Sequence, residues 1–296
     1  MIAQTTKQKI MTALKKYVVT FKSQKKAAES FENVSEATII SILSGQWASI
    51  SDSMWTNVAN QIGLNKRQFN VVETNDYKTL TLYYDVAKEE GATFSIIGRA
   101  GCGKTFTGKH YTEVNRKNNV YYLECANYWN KKQFLQKLLS AIGKDEVWMN
   151  IGDMMETIVR ELRRQHKPLI ILDEIDKLTD PVLTFFITLY NELNSVCGFV
   201  WTSTNNIEKR IASGLRKNAL GYQELFSRIG SRFIELQGVT SEEIKAICQA
   251  NGIEKEEDIH RIINESAGDL RRVERNFLKD RAKEIRSQKA RTSIIA

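Results

Sequence analysis

The sequence predicts an α/β fold in which a parallel sheet is flanked by helices, with an all-α module before it and a small α-helical lid after it. From Ala92 onward, short apolar runs alternate with amphipathic stretches, which is typical of βα units that build a parallel sheet. Up to about residue 65 and after Thr240 the pattern is helical, and only two prolines interrupt the chain. We therefore expect a module over 1–65, a connector over 66–76, an α/β core over 77–237 and a lid over 238–296.

The composition excludes several classes of protein. Apolar residues make up 42% and charged residues 26%, so the chain can bury a core and is not disordered throughout. No apolar run approaches the roughly 18 residues of a membrane-spanning helix, and the first residues lack a secretory leader pattern. The four cysteines are scattered and form no disulfide or zinc pattern. We expect a cytoplasmic protein that does not associate with membranes.

The charge balance favours a polyanionic partner. Forty-three basic residues outnumber 35 acidic ones, which gives a net charge of +8. Basic residues are concentrated in the first thirty positions and again from Arg271 to the end of the chain. Release of counterions from nucleic acid drives binding to such surfaces, although a basic soluble enzyme carries the same signature.

The elements of the core follow one another as strand, helix and strand. Short apolar runs predict the five strands Thr93–Ile97, Val120–Cys125, Leu169–Leu172, Gly198–Ser203 and Arg232–Leu236. Amphipathic stretches predict helices that include Tyr77–Glu90, Trp129–Ile142 and Met154–Gln165.

The first predicted strand leads into a phosphate-binding loop. Residues 98–105 read Gly-Arg-Ala-Gly-Cys-Gly-Lys-Thr and match the pattern G-x-x-x-x-G-K-[ST]. The glycines let backbone N–H groups surround phosphate oxygens, Lys104 supplies a positive charge to the β- and γ-phosphates, and the Thr105 hydroxyl ligates Mg²⁺. The predicted nucleotide-binding residues are Gly98, Arg99, Ala100, Gly101, Cys102, Gly103, Lys104, Thr105 and Phe106.

A second predicted strand ends in two acidic residues. The run from Pro168 to Leu172 is continuously apolar, as expected for a buried parallel strand, and Asp173 and Glu174 follow it. Ligands bind outside the carboxyl ends of such strands. We therefore expect Asp173 to hold Mg²⁺ through water and Glu174 to orient and deprotonate the attacking water. The alternative, an acidic loop that caps the next helix, fits Asp176 better.

Polar residues in the second half of the core complete the candidate site. Asn205 ends another predicted strand, where its amide can bind the γ-phosphate and the attacking water. Arg228 and Arg232 lie just before the last predicted strand, and Arg271 follows in the sequence Gly-Asp-Leu-Arg. No Asn-Lys-x-Asp motif is present, which favours ATP over GTP as the nucleotide.

This combination of motifs resembles the AAA+ ATPases over about residues 75 to 296. The resemblance implies that Asn205 is the first sensor residue and that Arg271 is the second, in a helical lid. It also implies that Arg232, or else Arg228, is an arginine finger that reaches the ATP of a neighbouring subunit. Glu174, Asn205, Arg232, Arg271 and Arg228 are therefore the predicted catalytic set, with ATP and Mg²⁺ as cofactors.

Residues 20–64 resemble a helix-turn-helix of the phage-repressor type. In this interpretation Ser35 caps the second helix, which buries Ile39 and Leu43. Thr38 is among the residues that then face the DNA groove, and Lys25 and Lys26 lie near the phosphates. That helix contains no Arg, Asn or Gln, so a module that binds protein rather than DNA remains the alternative.

A helix-turn-helix module before an AAA+ core resembles the phage Mu transposition protein B family. The stretches Val72–Asp76, Val120–Cys125 and Tyr128–Lys132 add to the likeness. The resemblance implies a homo-oligomer, as a ring or helical filament, that assembles on double-stranded DNA with weak sequence selectivity. It further implies delivery of this target DNA to a DDE transposase, which the assembly stimulates. In such an assembly Trp129, Lys131 and Lys132 lie on a loop facing the DNA; alternatively, Trp129 packs on the core and the lysines begin a solvated helix.

Two other functions share most of these motifs. One is an ATPase of the replication-initiator or helicase-loader type. The other is a helix-turn-helix transcription regulator that uses ATP only as a switch. No Gly-Ala-Phe-Thr-Gly-Ala loop, typical of σ-factor activators, is present.

Overall fold

The structure is a computed structural model that describes residues 2–21, 23–64, 70–144 and 148–295. Within the last helix, side chains are described through residue 283 and at residue 286. Residues 66–69 of the expected connector lie outside the described residues. The chain divides into two units, one formed by residues 1–70 with 114–117 and the other by residues 71–113 with 118–296.

In its described residues the first unit contains four helices: α1 (Gln4–Val19), α2 (Gln24–Glu29), α3 (Glu36–Leu43) and α4 (Asp52–Gln61). The Ser35 hydroxyl accepts a hydrogen bond from the Thr38 N–H, which confirms the predicted cap of α3. Ile39 is fully buried as expected, but its buried companion is Ile42 rather than Leu43, which is only partly buried. The core of this unit is completed by residues of the other helices and of the turn before α3: Ile10, Leu14, Ala28, Phe31, Val34, Trp55 and Val58.

The second unit is built on a parallel sheet, which has five strands in the described part of the chain. They are β1 (Thr93–Ile97), β2 (Val120–Glu124), β3 (Leu169–Asp173), β4 (Gly198–Ser203) and β5 (Ile234–Glu235). The strand order is β2-β3-β4-β1-β5, and every neighbouring pair is parallel. The sequence predicted all five strands, but the last is shorter than expected, so Arg232 lies outside it.

Helices cover both faces of the sheet, as continuously apolar parallel strands require. They are α5 (Asn75–Glu90), α6 (Lys104–Val114), α7 (Lys131–Ala141), α8 (Ile151–Arg163), α9 (Asp180–Leu193), α10 (Asn206–Arg216) and α11 (Tyr222–Arg228). A short 3-10 helix, Ile175–Lys177, follows β3. The larger core, on one face, includes Leu138, Ile158, Leu162, Phe186 and Trp201. The core on the other face includes Leu80, Tyr84, Tyr111, Ile171 and Val200.

Three described helices follow the sheet, in the range where the sequence predicts a lid: α12 (Ser241–Ala250), α13 (Glu256–Ser266) and α14 (Leu270–Ile295). Thr240 and Glu243 form a reciprocal capping box that begins α12. Buried apolar residues on each helix hold the lid together, namely Ile244, Ile247, Ile259, Ile262 and Val273. In the part of the chain that the structure describes, no helix is both long and apolar enough to cross a membrane.

Candidate nucleotide-binding and hydrolysis site

The phosphate-binding loop connects β1 to α6. It spans residues 98–103. Two of its glycines have backbone angles that residues with side chains rarely adopt, with φ of +82° at Gly101 and +101° at Gly103. The Gly101 carbonyl accepts a hydrogen bond of 2.9 Å from the Leu270 N–H, and a side chain at position 101 would collide with Asp269. The beginning of the last lid helix therefore lies directly against the loop.

Lys104 places its ammonium group inside this loop. The residue is only 9% exposed, and its Nζ donates hydrogen bonds to the carbonyl oxygens of Gly98 at 2.7 Å and Arg99 at 2.9 Å. These bonds fix a positive charge at the N-terminal end of α6. A helix N-terminus and a buried cation are the two features that attract phosphate.

The Asp173 carboxylate lies at the end of β3 and is completely buried. Its Oδ2 accepts hydrogen bonds from the Thr105 hydroxyl at 2.6 Å and the Tyr122 hydroxyl at 2.8 Å. Its Oδ1 accepts from the Thr202 hydroxyl at 2.5 Å and the Glu174 N–H at 3.0 Å. Four donors from different parts of the chain thus fix the carboxylate beside the phosphate-binding loop.

Tyr122 and Thr202 are site residues that the sequence analysis missed. They lie on β2 and β4, the two strands that flank β3, and Thr202 is the direct register partner of Asp173. Burial, and then the charge of Asp173, raise the pKa of Tyr122 above its ordinary value, so its phenol remains a hydrogen-bond donor. Strand register would have been needed to find either residue from sequence.

The donor set fits a hard cation such as Mg²⁺. Thr105 and Asp173 offer hydroxyl and carboxylate oxygens that are already in hydrogen-bond contact with each other. Mg²⁺ prefers oxygen ligands and keeps several waters and phosphate oxygens when one or two protein groups bind it. Among the described residues, no group of three or more His, Cys, Asp or Glu could hold a metal by itself.

Glu174 follows Asp173 in a left-handed backbone conformation, with φ of 57° and ψ of 39°. Its side chain is partly exposed and forms an ion pair with Lys177, and this hydrogen bond raises the pKa of Lys177. The Glu174 carboxylate thus lies directly after the buried Asp173 and is engaged by Lys177. The unusual backbone angle turns the chain at the carboxyl end of β3.

Asn205 follows β4 and precedes α10. Its Nδ2 is 3.4 Å from Glu235 Oε1, and Glu235 is the register partner of Ile97, the last residue before the phosphate-binding loop. The structure therefore brings Asn205 to the edge of the sheet where the loop begins. Asp176, the alternative acidic residue, accepts a hydrogen bond from the Thr204 hydroxyl and so fixes the same connection.

The three arginines of the predicted catalytic set have different surroundings. Arg228 is held within its own chain, by Asn191 Oδ1 at 2.9 Å and by Glu224 Oε1 at 2.7 Å. The Arg232 side chain is exposed, and no hydrogen bond or ion pair joins it to a described residue. Arg271 lies in the first turn of α14, one residue after the contact with Gly101, and its side chain is exposed.

The residues predicted to contact DNA differ in their exposure. Trp129 is 5% exposed and belongs to the core, so the structure favours the packing alternative for this residue. Lys131 and Lys132 are exposed, but they form the first turn of α7 rather than a loop, because Asn130 caps that helix. In the first unit Lys25 and Lys26 are exposed and Thr38 is partly buried.

Phe106, the last residue of the predicted nucleotide-binding set, lies in the first turn of α6. Its side chain is 44% exposed, and its ring is parallel to that of His110 at a centroid distance of 5.9 Å. The Tyr77 hydroxyl lies 3.0 Å from Nδ1 of the same histidine. The three rings form a small aromatic cluster beside the phosphate-binding loop.

Comparisons with known proteins agree with this fold. Residues 87–211 match the family model described as "AAA domain". The match covers less than half of the chain, and the phosphate-binding loop and the strands β1 to β4 lie within it. No curated protein matches the chain significantly.

Two solved structures are similar to parts of this chain. A mutant RuvB of Thermotoga maritima is 21% identical, with 68% of this chain and 59% of that chain covered and a TM-score of 0.42. NtrX of Brucella abortus, in complex with ATP, is 14% identical, with 82% of this chain and 58% of that chain covered and a TM-score of 0.46. This chain thus spans less than two thirds of the length of either protein.

Proposed function

We propose that the protein is an ATP hydrolase that assembles on DNA as a homo-oligomer and delivers this DNA to a DDE transposase. The hydrogen bond between Thr105 and Asp173 is the observation on which the hydrolase proposal rests most directly. It joins the end of the phosphate-binding loop to the acidic end of β3, the two places that hold nucleotide and Mg²⁺ in P-loop enzymes. Mg²⁺ bound there supplies positive charge to the phosphates during transfer.

The residues of the chain divide the chemical work between them. Lys104 and the loop N–H groups hold the phosphates, and Thr105 with Asp173 holds the metal and its waters. Glu174 orients the attacking water and accepts its proton, while Asn205 orients the water from the neighbouring strand end. Arg271, at the beginning of α14, binds the γ-phosphate and so links the nucleotide state to the lid.

The proposal of a homo-oligomer is supported by Arg232. Its exposed side chain makes no bond to a described residue, whereas Arg228 already has two partners in its own chain. An arginine that is free at the surface can enter the active site of a neighbouring subunit and stabilise charge on the transferred phosphate. We therefore assign the role of arginine finger to Arg232.

The proposal of DNA binding is supported by charge. Lys131 and Lys132 are exposed at the beginning of α7, and the net charge of the chain is +8. Contacts to phosphates position a protein on DNA without reading sequence, which agrees with weak selectivity. Linked subunits would combine many weak contacts, so assembly and DNA affinity should rise together.

A band-shift titration at several salt concentrations, with and without ATP, tests this function. We expect tight DNA binding only with ATP, and a loss of roughly 0.9 in the salt slope for each phosphate contact removed. The double change Lys131→Ala and Lys132→Ala should flatten the slope and weaken binding to all sequences alike. The control is the double change Lys209→Ala and Lys217→Ala, which removes two exposed lysines of the α10 region. Equal affinity without nucleotide contradicts the proposal and favours a helix-turn-helix regulator.

The transposition step needs its own test, because it rests on the resemblance of the motifs alone. We expect a gene for a DDE transposase beside the gene for this protein, and strand transfer by that enzyme should increase with this protein and ATP. Stimulation should disappear with Lys104→Ala. Normal strand transfer without this protein, together with ATP-dependent loading of a helicase, would favour a helicase-loader function instead.

A further inference from the structure

The Asp173 carboxylate accepts four hydrogen bonds, two at each oxygen. One donor, Thr105, belongs to the phosphate-binding motif, and another is the backbone N–H of Glu174, the residue directly after Asp173. The Tyr122 hydroxyl, at 2.8 Å from Oδ2, lies outside that motif. It shares its acceptor oxygen, Oδ2, with Thr105, the other residue that would hold the metal.

The ring of Tyr122 has a defined place in the fold. Tyr122 is the register partner of Ile171, two residues before Asp173, so both side chains lie on the same face of the sheet. On that face α6 has a glycine at position 108, and a Cβ there would lie only 2.8 Å from Tyr122 Cε2. Lys109 Nζ lies 5.6 Å from the centre of the ring and pairs with Glu124 at 2.6 Å. Helix α6 therefore leaves space for the Tyr122 ring at Gly108 and contacts the ring through Lys109.

We propose that Tyr122 is a positioning residue that fixes the Asp173 carboxylate for Mg²⁺. The inference rests on the proposed function, since it concerns the same metal site. Hydrogen bonds to both oxygens restrict the rotation of the carboxylate in advance, so little further conformational entropy is lost when the metal and its waters bind. Groups that hydrogen-bond a metal-binding carboxylate typically contribute a factor of about 10 to 100 to metal affinity.

The change Tyr122→Phe removes the hydroxyl and keeps the ring between β2 and α6. Tyr121→Phe is a matched control, because the Tyr121 hydroxyl also makes one side-chain hydrogen bond, to Gln165 Oε1 at 2.7 Å. Tyr121 is the preceding residue of the same strand, and it packs against the core on the opposite face of the sheet. The two variants therefore lose the same group from the same strand, and only one of them loses a contact to Asp173.

The experiment is a Mg²⁺ titration of the full chain with a fluorescent ATP analogue, followed by binding of the same analogue in EDTA. We expect Tyr122→Phe to raise the Mg²⁺ concentration at half-saturation by about 10-fold or more. Its affinity for the analogue in EDTA should stay as in the wild type. Tyr121→Phe should leave both values unchanged, and thermal unfolding should show that both variants are folded.

Asp173→Asn separates the failure of this inference from failure of the proposed site. If Asp173→Asn shifts the Mg²⁺ titration and Tyr122→Phe does not, the positioning role is overturned and the metal site stands. If neither variant shifts it, the assignment of the metal site to Asp173 is itself wrong. A loss of analogue binding in EDTA with Tyr122→Phe would point to a general structural role and would also overturn the inference.

Discussion

The Thr105 hydroxyl donates a hydrogen bond of 2.6 Å to Asp173 Oδ2, although the two residues are 68 positions apart in the chain. This bond connects the start of α6 with the end of β3, and it joins the two side chains that we propose to hold Mg²⁺. Because Lys104 precedes Thr105, the same short stretch of α6 carries both the proposed phosphate-binding cation and the proposed metal-binding hydroxyl. Changes at these positions should therefore separate nucleotide binding from hydrolysis.

Lys104→Ala should weaken nucleotide binding itself. The ammonium group is held in the loop by the carbonyls of Gly98 and Arg99, and its loss removes the charge that attracts the phosphates. Binding of a fluorescent ATP analogue measures the effect directly. Lys78→Ala, which removes an exposed lysine from α5, is the control and should bind as the wild type does. Equal affinity of the Lys104 variant would show that the loop does not bind nucleotide in the expected way.

Glu174→Gln should keep ATP and Mg²⁺ binding and lose turnover by a factor of about 10² to 10⁴, because an amide cannot accept the proton of the attacking water. Phosphate release under single-turnover conditions, with binding measured separately, checks both parts. Glu124→Gln is the matched control, since Glu124 is the register partner of Asp173 on the neighbouring strand. Wild-type hydrolysis by Glu174→Gln would move the role of the base to another residue.

How far the sequence predicts this site depends on how local each signal is. The phosphate-binding loop and the pair Asp173 and Glu174 are continuous patterns next to strands, and the fold places them at the ends of β1 and β3. The hydroxyls of Tyr122 and Thr202 reach Asp173 only because β2 and β4 pair with β3 in one particular register. Sequence spacing does not encode that register, so no local pattern could have identified them.

The same limit applies to two questions of exposure that the sequence alone could not decide: whether Trp129 faces DNA or the core, and which of Arg228 and Arg232 is free to act as the finger. Trp129 and its neighbouring lysines form one polar and aromatic run in the sequence, but the cap at Asn130 begins a helix and turns Trp129 into the core. In the sequence, the resemblance to AAA+ ATPases favours Arg232 over Arg228 as the finger, but it says nothing about their surroundings. The structure adds that Arg228, at the end of α11, has the partners Asn191 and Glu224 within its own chain.

Arg232→Ala should abolish hydrolysis by the assembled protein and leave the stability of the subunit unchanged. Arginine fingers contribute a factor of about 10³ to 10⁵ to turnover, and this side chain makes no bond to a described residue that folding would lose. Mixing Arg232→Ala with Glu174→Gln subunits should restore part of the activity, because some interfaces then combine an intact arginine with an intact glutamate.

Arg228→Ala is the control for this experiment. Its partially exposed ion pair with Glu224 should contribute less than about 1 kcal/mol to stability, and hydrolysis should continue. Activity retained by Arg232→Ala but lost in Arg228→Ala would reverse the assignment of the finger. No recovery in mixed assemblies would argue that Arg232 acts within its own subunit.

Asp76→Asn should destabilise the junction between the sheet and the lid. Asp76 is 2% exposed, and its two carboxylate oxygens accept hydrogen bonds of 3.0 Å from the N–H groups of Gln237 and Gly238, between β5 and α12. An amide can accept only one of these bonds, so a buried N–H loses its partner at a cost of about 1 to 3 kcal/mol. Urea unfolding of the full chain measures this loss, and Glu90→Gln, an exposed carboxyl on α5, is the control.

The pH dependence of the same variant has a definite sign. Burial raises the pKa of Asp76 above its ordinary 3.8, so the folded state keeps the proton to higher pH than the unfolded state does. The stability that this carboxyl contributes is complete below pH 3.8 and decreases as the pH rises through the raised pKa. The amide of the variant does not titrate, so the difference in unfolding free energy between wild type and Asp76→Asn should become smaller over this range. A difference that grows with pH would show that the two N–H groups lower the pKa more than burial raises it.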